Sequence, residues 1–264
     1  FGRLEGLHLS NRPSTVMRNA NLFKTRLQGA SLWKLDLTGA DLSKADLAGA
    51  NLNESQMVGT DLLGTNFDGS RLERVEWGDK CTNELRALEA LREGRTEDAC
   101  AAFEEAEEIY RILRRSYDGA GRFEKAGAFF RREMTMRRML MPRWSGARFW
   151  SKLVDVFCAY GESPPRVILS AMVVNIVVGC VFFLCGVNGP DGPLRIDLEL
   201  GLWVNVEMYL NCLYYTVVTF TTLGYGEITP PTLFTRHLAS THAFAGAFMM
   251  AMFVAVFGKK MTRG

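Results

Sequence analysis

The sequence predicts a multidomain membrane protein that contains a repeat domain, a helical region and a membrane-embedded helical domain, in that order. Two apolar stretches, residues 167–187 and 238–257, are each long enough to cross the hydrocarbon core of a bilayer as a helix. Over residues 1–80, apolar side chains recur at every fifth position for most of the length. Because a period of five suits neither a helix nor a flat strand, this part of the chain must fold differently from the rest.

The fivefold repeat predicts the architecture of residues 1–80, most regularly over residues 15–77. Its apolar positions are Leu22, Leu27, Leu32, Leu37, Leu42, Leu47, Leu52, Met57, Leu62, Phe67, Leu72 and Trp77. Two residues before most of them lies a small residue, such as Ala40 or Ser55. Units such as ADLSK, ADLAG and ANLNE resemble the pentapeptide-repeat family. This resemblance implies a right-handed quadrilateral β-helix in which the apolar and small residues point inward.

The charge of this domain argues against nucleic acid as a partner. Some pentapeptide-repeat proteins mimic DNA, which requires a strongly acidic surface, but residues 1–80 contain ten acidic and ten basic residues. We therefore expect a rigid cytoplasmic spacer or a module for contact between subunits. A further alternative is that the β-helix binds a cytoplasmic ligand or protein, which the sequence does not identify.

Residues 81–141 are predicted to be a cytoplasmic helical region. The residues Tyr110, Leu113, Tyr117, Gly121, Ala126 and Phe130 have the spacing of a tetratricopeptide-like helical hairpin. Glu133 and Arg138 depart from that pattern. Because one hairpin cannot bury its own apolar face, we expect it to pack on the end of the β-helix or on a neighbouring subunit.

Residues 142–163 are predicted to form an amphipathic helix at the inner surface of the membrane. One broad apolar face contains Trp144, Phe149, Trp150, Leu153, Val154, Phe157 and Tyr160. An ordinary packed amphipathic helix is the alternative.

Cations flank the two apolar stretches asymmetrically. Arg143, Arg148, Lys152 and Arg166 precede the first stretch, Lys259, Lys260 and Arg263 follow the second, and only Arg195 and Arg236 lie between them. The positive-inside rule therefore predicts a multi-pass plasma-membrane protein with both termini in the cytoplasm, and we expect a prokaryotic source. No apolar stretch carries arginine at every third position, so no voltage sensor is predicted.

The segment between the two stretches carries the most specific motif, TTLGYGE at residues 221–227. It resembles the signature filter of potassium channels, in which consecutive backbone carbonyl oxygens replace the hydration shell of the ion. The residues implied to bind ions are Thr222, Leu223, Gly224, Tyr225 and Gly226, with K⁺ at the first four. Gly224 and Gly226 suit this role because a Cβ would oppose the dihedrals that align the carbonyls. The supporting residues are expected to be Tyr214, Tyr215, Thr221 and Glu227.

The resemblance to two-helix potassium channels covers residues 164–264, the predicted pore domain. It implies an outer helix over 166–187, a pore helix over 208–221, a filter over 222–226 and an inner helix over 237–258. Because one chain supplies one strand of a filter, it also implies a homotetramer in membrane lipid that conducts K⁺ passively. The alternatives are a non-selective cation channel and a membrane-anchored scaffold with a vestigial pore.

Candidates for gating lie on the predicted inner helix. Gly246 is either a hinge or a small residue that permits close helix packing. Met250 and Val254 are expected to face the pore axis, where rings of apolar side chains can close a pore by dewetting. We expect His242 to be a neutral histidine that forms a hydrogen bond at a subunit contact.

The remaining signals predict little chemistry. The six cysteines lack the spacing of a zinc site and are expected to be free thiols. Because no catalytic motif is present, we expect no enzyme activity and no cofactor beyond potassium ions in the filter.

Overall fold

The computed structural model describes residues 16–262. Residues 1–15, at the start of the predicted repeat domain, and residues 263–264 lie outside this range. The chain divides between Leu153 and Val154 into two compact units.

In the first unit, residues 16–76 form a regular coil of parallel β-bridges. Each bridge joins residues that are four pentapeptides apart, from Val16 with Asp36 to Gln56 with Glu76. Backbone groups hydrogen-bond between successive coils, as where the Leu42 N–H donates to the Asp61 carbonyl oxygen at 2.9 Å. One coil of the chain therefore comprises four pentapeptides.

The predicted inward positions fill the interior of this coil. From Leu22 to Leu72 every residue at the predicted every-fifth apolar position is at most 8% exposed. The preceding small residues are mostly enclosed as well, and Leu35 and Val75 are buried at positions where small residues are the rule. The period of five thus places two residues of each unit in the core.

Short polar side chains stabilise the corners between the sides of the coil. The carboxylate of Asp41 accepts a hydrogen bond from the Ser43 N–H at 2.9 Å, and that of Asp46 accepts one from the Ala48 N–H at 3.1 Å. Such turns between a side chain and the backbone two residues later replace hydrogen bonds that a strand would make. At Asp36, a hydrogen bond from the Thr38 hydroxyl, the same backbone contact from the Thr38 N–H and the charge of Arg18 together lower the pKa of the carboxyl.

Three helices follow the repeat: α1 (Thr82–Arg92), α2 (Thr96–Gly119) and α3 (Phe123–Leu140). Tyr110, Leu113 and Tyr117 are buried on α2, and Gly121 has a φ of +71° in the turn before α3. On α3 the residue that packs is the neighbour of the one named in the predicted spacing. Phe129 is buried, whereas the predicted Phe130 is only half-buried, because Phe129 is the residue of α3 that packs against the rings of Tyr110 and Tyr117.

The hairpin of α2 and α3 packs against the last coil of the repeat. The Trp77 indole N–H donates to the Tyr117 hydroxyl oxygen at 2.8 Å, and that hydroxyl donates to the Leu72 carbonyl oxygen at 3.0 Å. One continuous apolar core extends from the repeat into α3. Of the two packing partners expected for the hairpin, the end of the repeat is the one observed.

A buried polar cluster lies at the same junction. The Tyr110 hydroxyl donates to the Glu84 carboxylate at 2.5 Å, and Arg132 lies 3.5 Å from that carboxylate. Burial raises the pKa of the Tyr110 hydroxyl, so that it stays protonated and keeps donating. Glu133, which departs from the hairpin pattern, is buried and accepts a hydrogen bond from the Arg114 guanidinium at 2.7 Å.

The helix α4 (Gly146–Cys158) and a short 3₁₀ helix (Ala159–Gly161) come next. Phe149 and Trp150 on α4 are 62% and 66% exposed, and Trp144 lies before the helix, fully exposed. The first part of the predicted apolar face is therefore exposed, whereas Leu153, Phe157 and Tyr160 are half-buried. Placement of α4 at a membrane surface stays a prediction.

The second unit contains α5 (Pro164–Cys185), α6 (Leu202–Phe220) and α7 (Leu233–Thr262). A small antiparallel hairpin of β1 (Val187–Gly189) and β2 (Gly192–Leu194) follows α5. By length and composition, α5 and α7 could each cross a membrane. In each, only 22% of the apolar window is buried inside the chain, unlike the core helix of a soluble protein.

The helices of this unit differ in length from the prediction. The helix expected over 208–221 begins at Leu202, and the helix expected over 237–258 extends from Leu233 to Thr262. Asn205 explains the earlier start of α6. Its amide donates to the Asp197 carbonyl oxygen at 2.7 Å and its Oδ1 accepts from the Asp197 N–H at 3.0 Å, which folds the preceding loop onto the first turn.

Candidate functional site

The loop of residues 222–226 lies between α6 and α7. Its backbone alternates in handedness, because φ is positive at Thr222 (+59°), Gly224 (+57°) and Gly226 (+89°) but not at the two residues between them. The sequence predicted an unusual backbone at both glycines, which adopt it at little cost. Thr222 was not expected to share it, since a positive φ is uncommon for a β-branched residue.

Hydrogen bonds anchor the N–H groups at the start of the loop and leave its carbonyl groups unused. The N–H groups of Leu223 and Gly224 donate to the Val218 carbonyl oxygen of α6, at 3.0 and 3.4 Å. Over the part of the chain that the structure describes, no carbonyl oxygen of residues 222–226 accepts a backbone hydrogen bond. The loop thus offers a run of carbonyl oxygens that are available to a ligand.

Contacts at the far end of the loop fix its exit. The N–H of Asn188 on β1 donates to the Thr229 carbonyl oxygen, and the Thr229 N–H donates back to Asn188, each at 2.9 Å. The Tyr214 hydroxyl donates to the Glu227 carboxylate at 2.5 Å. The loop is therefore held both by α6 and by the small β hairpin.

Of the four residues predicted to support the loop, two contact each other at its exit and two lie in the elements around it. Tyr214 reaches the loop through Glu227, whereas Tyr215 is buried with its ring against Phe182 of α5, at a centroid distance of 5.0 Å. The Thr221 hydroxyl donates to the Val217 carbonyl oxygen at 2.8 Å and so caps α6. Tyr214 and Glu227 thus contact each other at the loop, and Tyr215 and Thr221 stabilise the elements around it.

His242 connects α7 to α6 within one chain. Its Nε2 lies 3.2 Å from the Thr216 carbonyl oxygen, and its ring lies 5.4 Å from that of Phe220. Because a carbonyl oxygen can only accept, Nε2 carries the hydrogen. The expectation of a subunit contact is corrected here, since the partner of this buried histidine belongs to the same chain.

At Gly246 the backbone of α7 lies very close to the end of α6. A Cβ added there would lie 2.0 Å from the Phe220 carbonyl oxygen. The helix α7 continues unbroken through Gly246. Of the two roles considered for this glycine, the structure favours close packing.

The gate candidates Met250 and Val254 are 52% and 68% exposed in the single chain. Met250 borders an apolar cavity of about 420 Å³ between α5, α6 and α7, together with Phe220 and Phe253. Exposure is compatible with a position facing a pore axis, which stays a prediction for both residues.

The chemistry of the site depends on the backbone. Across residues 16–262 no group of three or more His, Cys, Asp and Glu side chains could hold a metal ion. A cation at residues 222–226 would instead be held by carbonyl oxygens and the Thr222 hydroxyl. Such uncharged oxygen ligands suit an ion that must leave as readily as it enters.

Comparison with protein families identifies two regions of the chain. Residues 171–263 match the ion channel family, and residues 36–74 match pentapeptide repeats in 8 copies. The chain therefore contains an ion channel domain and pentapeptide repeats. The channel match implies a multimeric channel assembly, and together with the two apolar helices it indicates a membrane location.

Among solved structures, the chain is similar to several pentapeptide-repeat proteins. Rfr23 from the cyanobacterium Cyanothece 51142 is 32% identical over 29% of this chain and 50% of its own, with a TM-score of 0.27. HetL from Nostoc sp. strain PCC 7120, involved in heterocyst differentiation regulation, is 22% identical over 28% of this chain and 54% of its own, with a TM-score of 0.14. A protein from the Arabidopsis thaliana thylakoid lumen is 27% identical over 34% of this chain and 74% of its own, with a TM-score of 0.12.

The chain thus spans about half the length of the two cyanobacterial proteins. None of the curated proteins compared with the chain matches it.

Proposed function

We propose that this chain is one subunit of a homotetrameric, potassium-selective channel that conducts K⁺ passively and is not voltage-sensing. The observation that carries the proposal is the loop of residues 222–226, with its alternating backbone and unused carbonyl oxygens. The oxygens of Thr222, Leu223, Gly224 and Tyr225 would replace the water around a K⁺ ion. The family match gives an ion channel domain, and this proposal adds that the channel selects K⁺.

The tetramer follows from the number of ligands that the ion needs. One loop presents its oxygens from one side, so several copies around an axis are required to surround a cation. Leu223 and Tyr225 are 61% and 68% exposed in the single chain, which leaves these side chains free to contact neighbouring subunits. Four copies, the arrangement of two-helix potassium channels, would close the ring.

The proposed orientation places both termini in the cytoplasm and the β hairpin outside. The fixed cations flanking α5 and α7 support this assignment, because cytoplasmic flanks carry an excess of Lys and Arg. The pentapeptide repeats, proposed to be a right-handed quadrilateral β-helix, would then be cytoplasmic and would modulate gating rather than select the ion. We propose neither an enzymatic activity nor a bound cofactor other than K⁺.

Ion flux into liposomes tests this function. The full chain, reconstituted at low protein density, is expected to take up K⁺ down a gradient while excluding Na⁺. Equal uptake of both ions would indicate a non-selective cation channel. No uptake of either, from protein shown to be inserted and folded, would favour the membrane-anchored scaffold with a vestigial pore.

A further inference from the structure

A short segment that joins α4 to α5, residues 158–163, contacts the last turns of α7 through an ion pair and apolar side chains. We refer to it as the α4–α5 corner. The ammonium of Lys259 donates to the Glu162 carboxylate at 2.5 Å, across 97 positions of sequence. Both side chains are partly buried, with exposures of 21% for Glu162 and 34% for Lys259. Nothing in the local sequence pattern predicts this contact.

Apolar contacts reinforce the ion pair. Cys158, Val167 and Val256 form a small core of their own, at most 6% exposed, and Met252 and Phe253 of α7 pack against it. The corner, the first turn of α5 and the end of α7 thus contact one another through both charge and apolar surface. An isolated surface ion pair contributes little, but here the partners are positioned by a packed core.

The corner also stores backbone strain. Ala159 and Tyr160 have consecutive positive φ values of +50° and +56°. Residues with a Cβ adopt this conformation at a cost, and it persists only where the surroundings enforce it. The enforcing contacts include hydrogen bonds from the Glu162 N–H to the carbonyl oxygens of Cys158 and Ala159, both at 3.2 Å. Cys158 and Glu162 of this turn also contact α7, through Val256 and Lys259, so the strained turn and the end of α7 share contacts.

We propose that the α4–α5 corner is a gating latch, in which the Glu162–Lys259 ion pair couples the position of the segment before α5 to that of the end of α7. The proposal rests on the channel function proposed above. Any displacement of the corner would break the pair or carry Lys259 with it, and Lys259 lies in the last turn of the helix that also carries Met250 and Val254.

Charge exchange tests the latch in single-channel recordings of the full chain. E162K and K259E are each expected to change the ratio of open to closed time by at least about threefold, within the range that ion pairs supply. The double variant E162K/K259E should return the ratio towards that of the wild type, because the pair is re-formed with its charges reversed. K260E is the matched control, since Lys260 is the exposed neighbour of Lys259, and E162K/K260E should not restore the ratio.

A second measurement keeps the latch separable from the channel function. Hydrogen exchange of the backbone amides in residues 256–262 should be faster in E162K and K259E and should slow again in the exchanged pair. The latch would be overturned if the ratio of open to closed time were unchanged in both single variants. It would also be overturned if E162K/K259E restored that ratio no better than E162K/K260E. Either result would leave the wild type a conducting channel. A wild type that does not conduct would overturn the channel and the latch as a gating device, and exchange rates would then show only whether the contact forms.

Discussion

The backbone of α7 at Gly246 lies directly against the Phe220 carbonyl oxygen at the end of α6. A Cβ at residue 246 would lie 2.0 Å from that oxygen and 2.8 Å from its carbon, distances that no rotation of a side chain can relieve. The loop of residues 222–226 begins two residues after Phe220. Close packing of α7 at this point therefore positions the helix from which the loop emerges.

Replacing Gly246 by Ala is expected to separate α7 from α6 and to destabilise the second unit by at least about 1–3 kcal/mol, the usual cost of overpacking. Thermal unfolding of the purified protein measures the change. Gly258→Ala is the matched control on the same helix, because nothing lies within 4 Å of the Cβ it would add. Equal melting temperatures for the two variants would mean that α7 does not depend on this contact.

Replacing Gly224 by Ala is expected to abolish selective conduction. Gly224 has a φ of +57°, and an added Cβ would make that conformation costly although no neighbour in the chain obstructs it. Gly201→Ala is the control, because Gly201 precedes α6 with a φ of −63° that any residue can adopt. Selectivity for K⁺ over Na⁺ that survives in the first variant would remove the loop from the ion pathway.

The hydrogen bond between Tyr214 and Glu227 is expected to hold the exit of the loop. Tyr214→Phe and Glu227→Gln should each shorten the time for which the channel stays conducting, because a hydrogen bond to a carboxylate contributes about 1.5–3 kcal/mol. Their effects should not add, because Tyr214→Phe removes the hydrogen bond that Glu227→Gln weakens by replacing the carboxylate with a neutral acceptor. Additive effects in single-channel records would show that the two residues act separately.

Tyr117 is expected to hold the helical hairpin on the repeat. Tyr117→Phe leaves the Trp77 indole N–H and the Leu72 carbonyl oxygen without the hydroxyl that now partners both. The loss should cost about 1–3 kcal/mol in the free energy of unfolding of the first unit. Chemical denaturation followed by tryptophan fluorescence measures it, and an unchanged midpoint would contradict the contact.

Deletion of the amino-terminal part tests whether ion selection depends only on the second unit. Deleting residues 1–80 would expose Tyr110, Tyr117 and Phe129, which pack against the repeat, so we expect that variant to aggregate. Deleting residues 1–141 removes the whole shared core and should leave a potassium-selective pore with an altered open probability. Loss of selectivity in this longer deletion would show that the first unit takes part in ion selection.

The sequence predicted those features that depend on local periodicity and on single residue types. The repeat of five placed Leu42 and Leu52 in the interior because each pentapeptide has the same surroundings in every coil. The positive φ values of Gly224 and Gly226 followed from the conformational freedom of glycine. These features require no knowledge of which distant residues meet.

Features that depend on contacts between distant residues were missed or misplaced. The start of α6 depends on Asn205, whose hydrogen bonds reach Asp197, eight residues earlier in the chain. The local sequence does not predict that Gly246 approaches Phe220 or that Glu162 pairs with Lys259. Phe129 and Phe130 are adjacent, and the one that packs on Tyr110 and Tyr117 is set by contacts with α2 that the local sequence does not show.

The reversal potential of the reconstituted channel, with K⁺ on one side of a bilayer and Na⁺ on the other, tests the central claim most directly. The proposed filter predicts a potential displaced far towards the value expected for K⁺ alone, and a loss of that displacement in Gly224→Ala. A reversal potential near zero in the wild type, with currents carried equally by both ions, would contradict potassium selectivity.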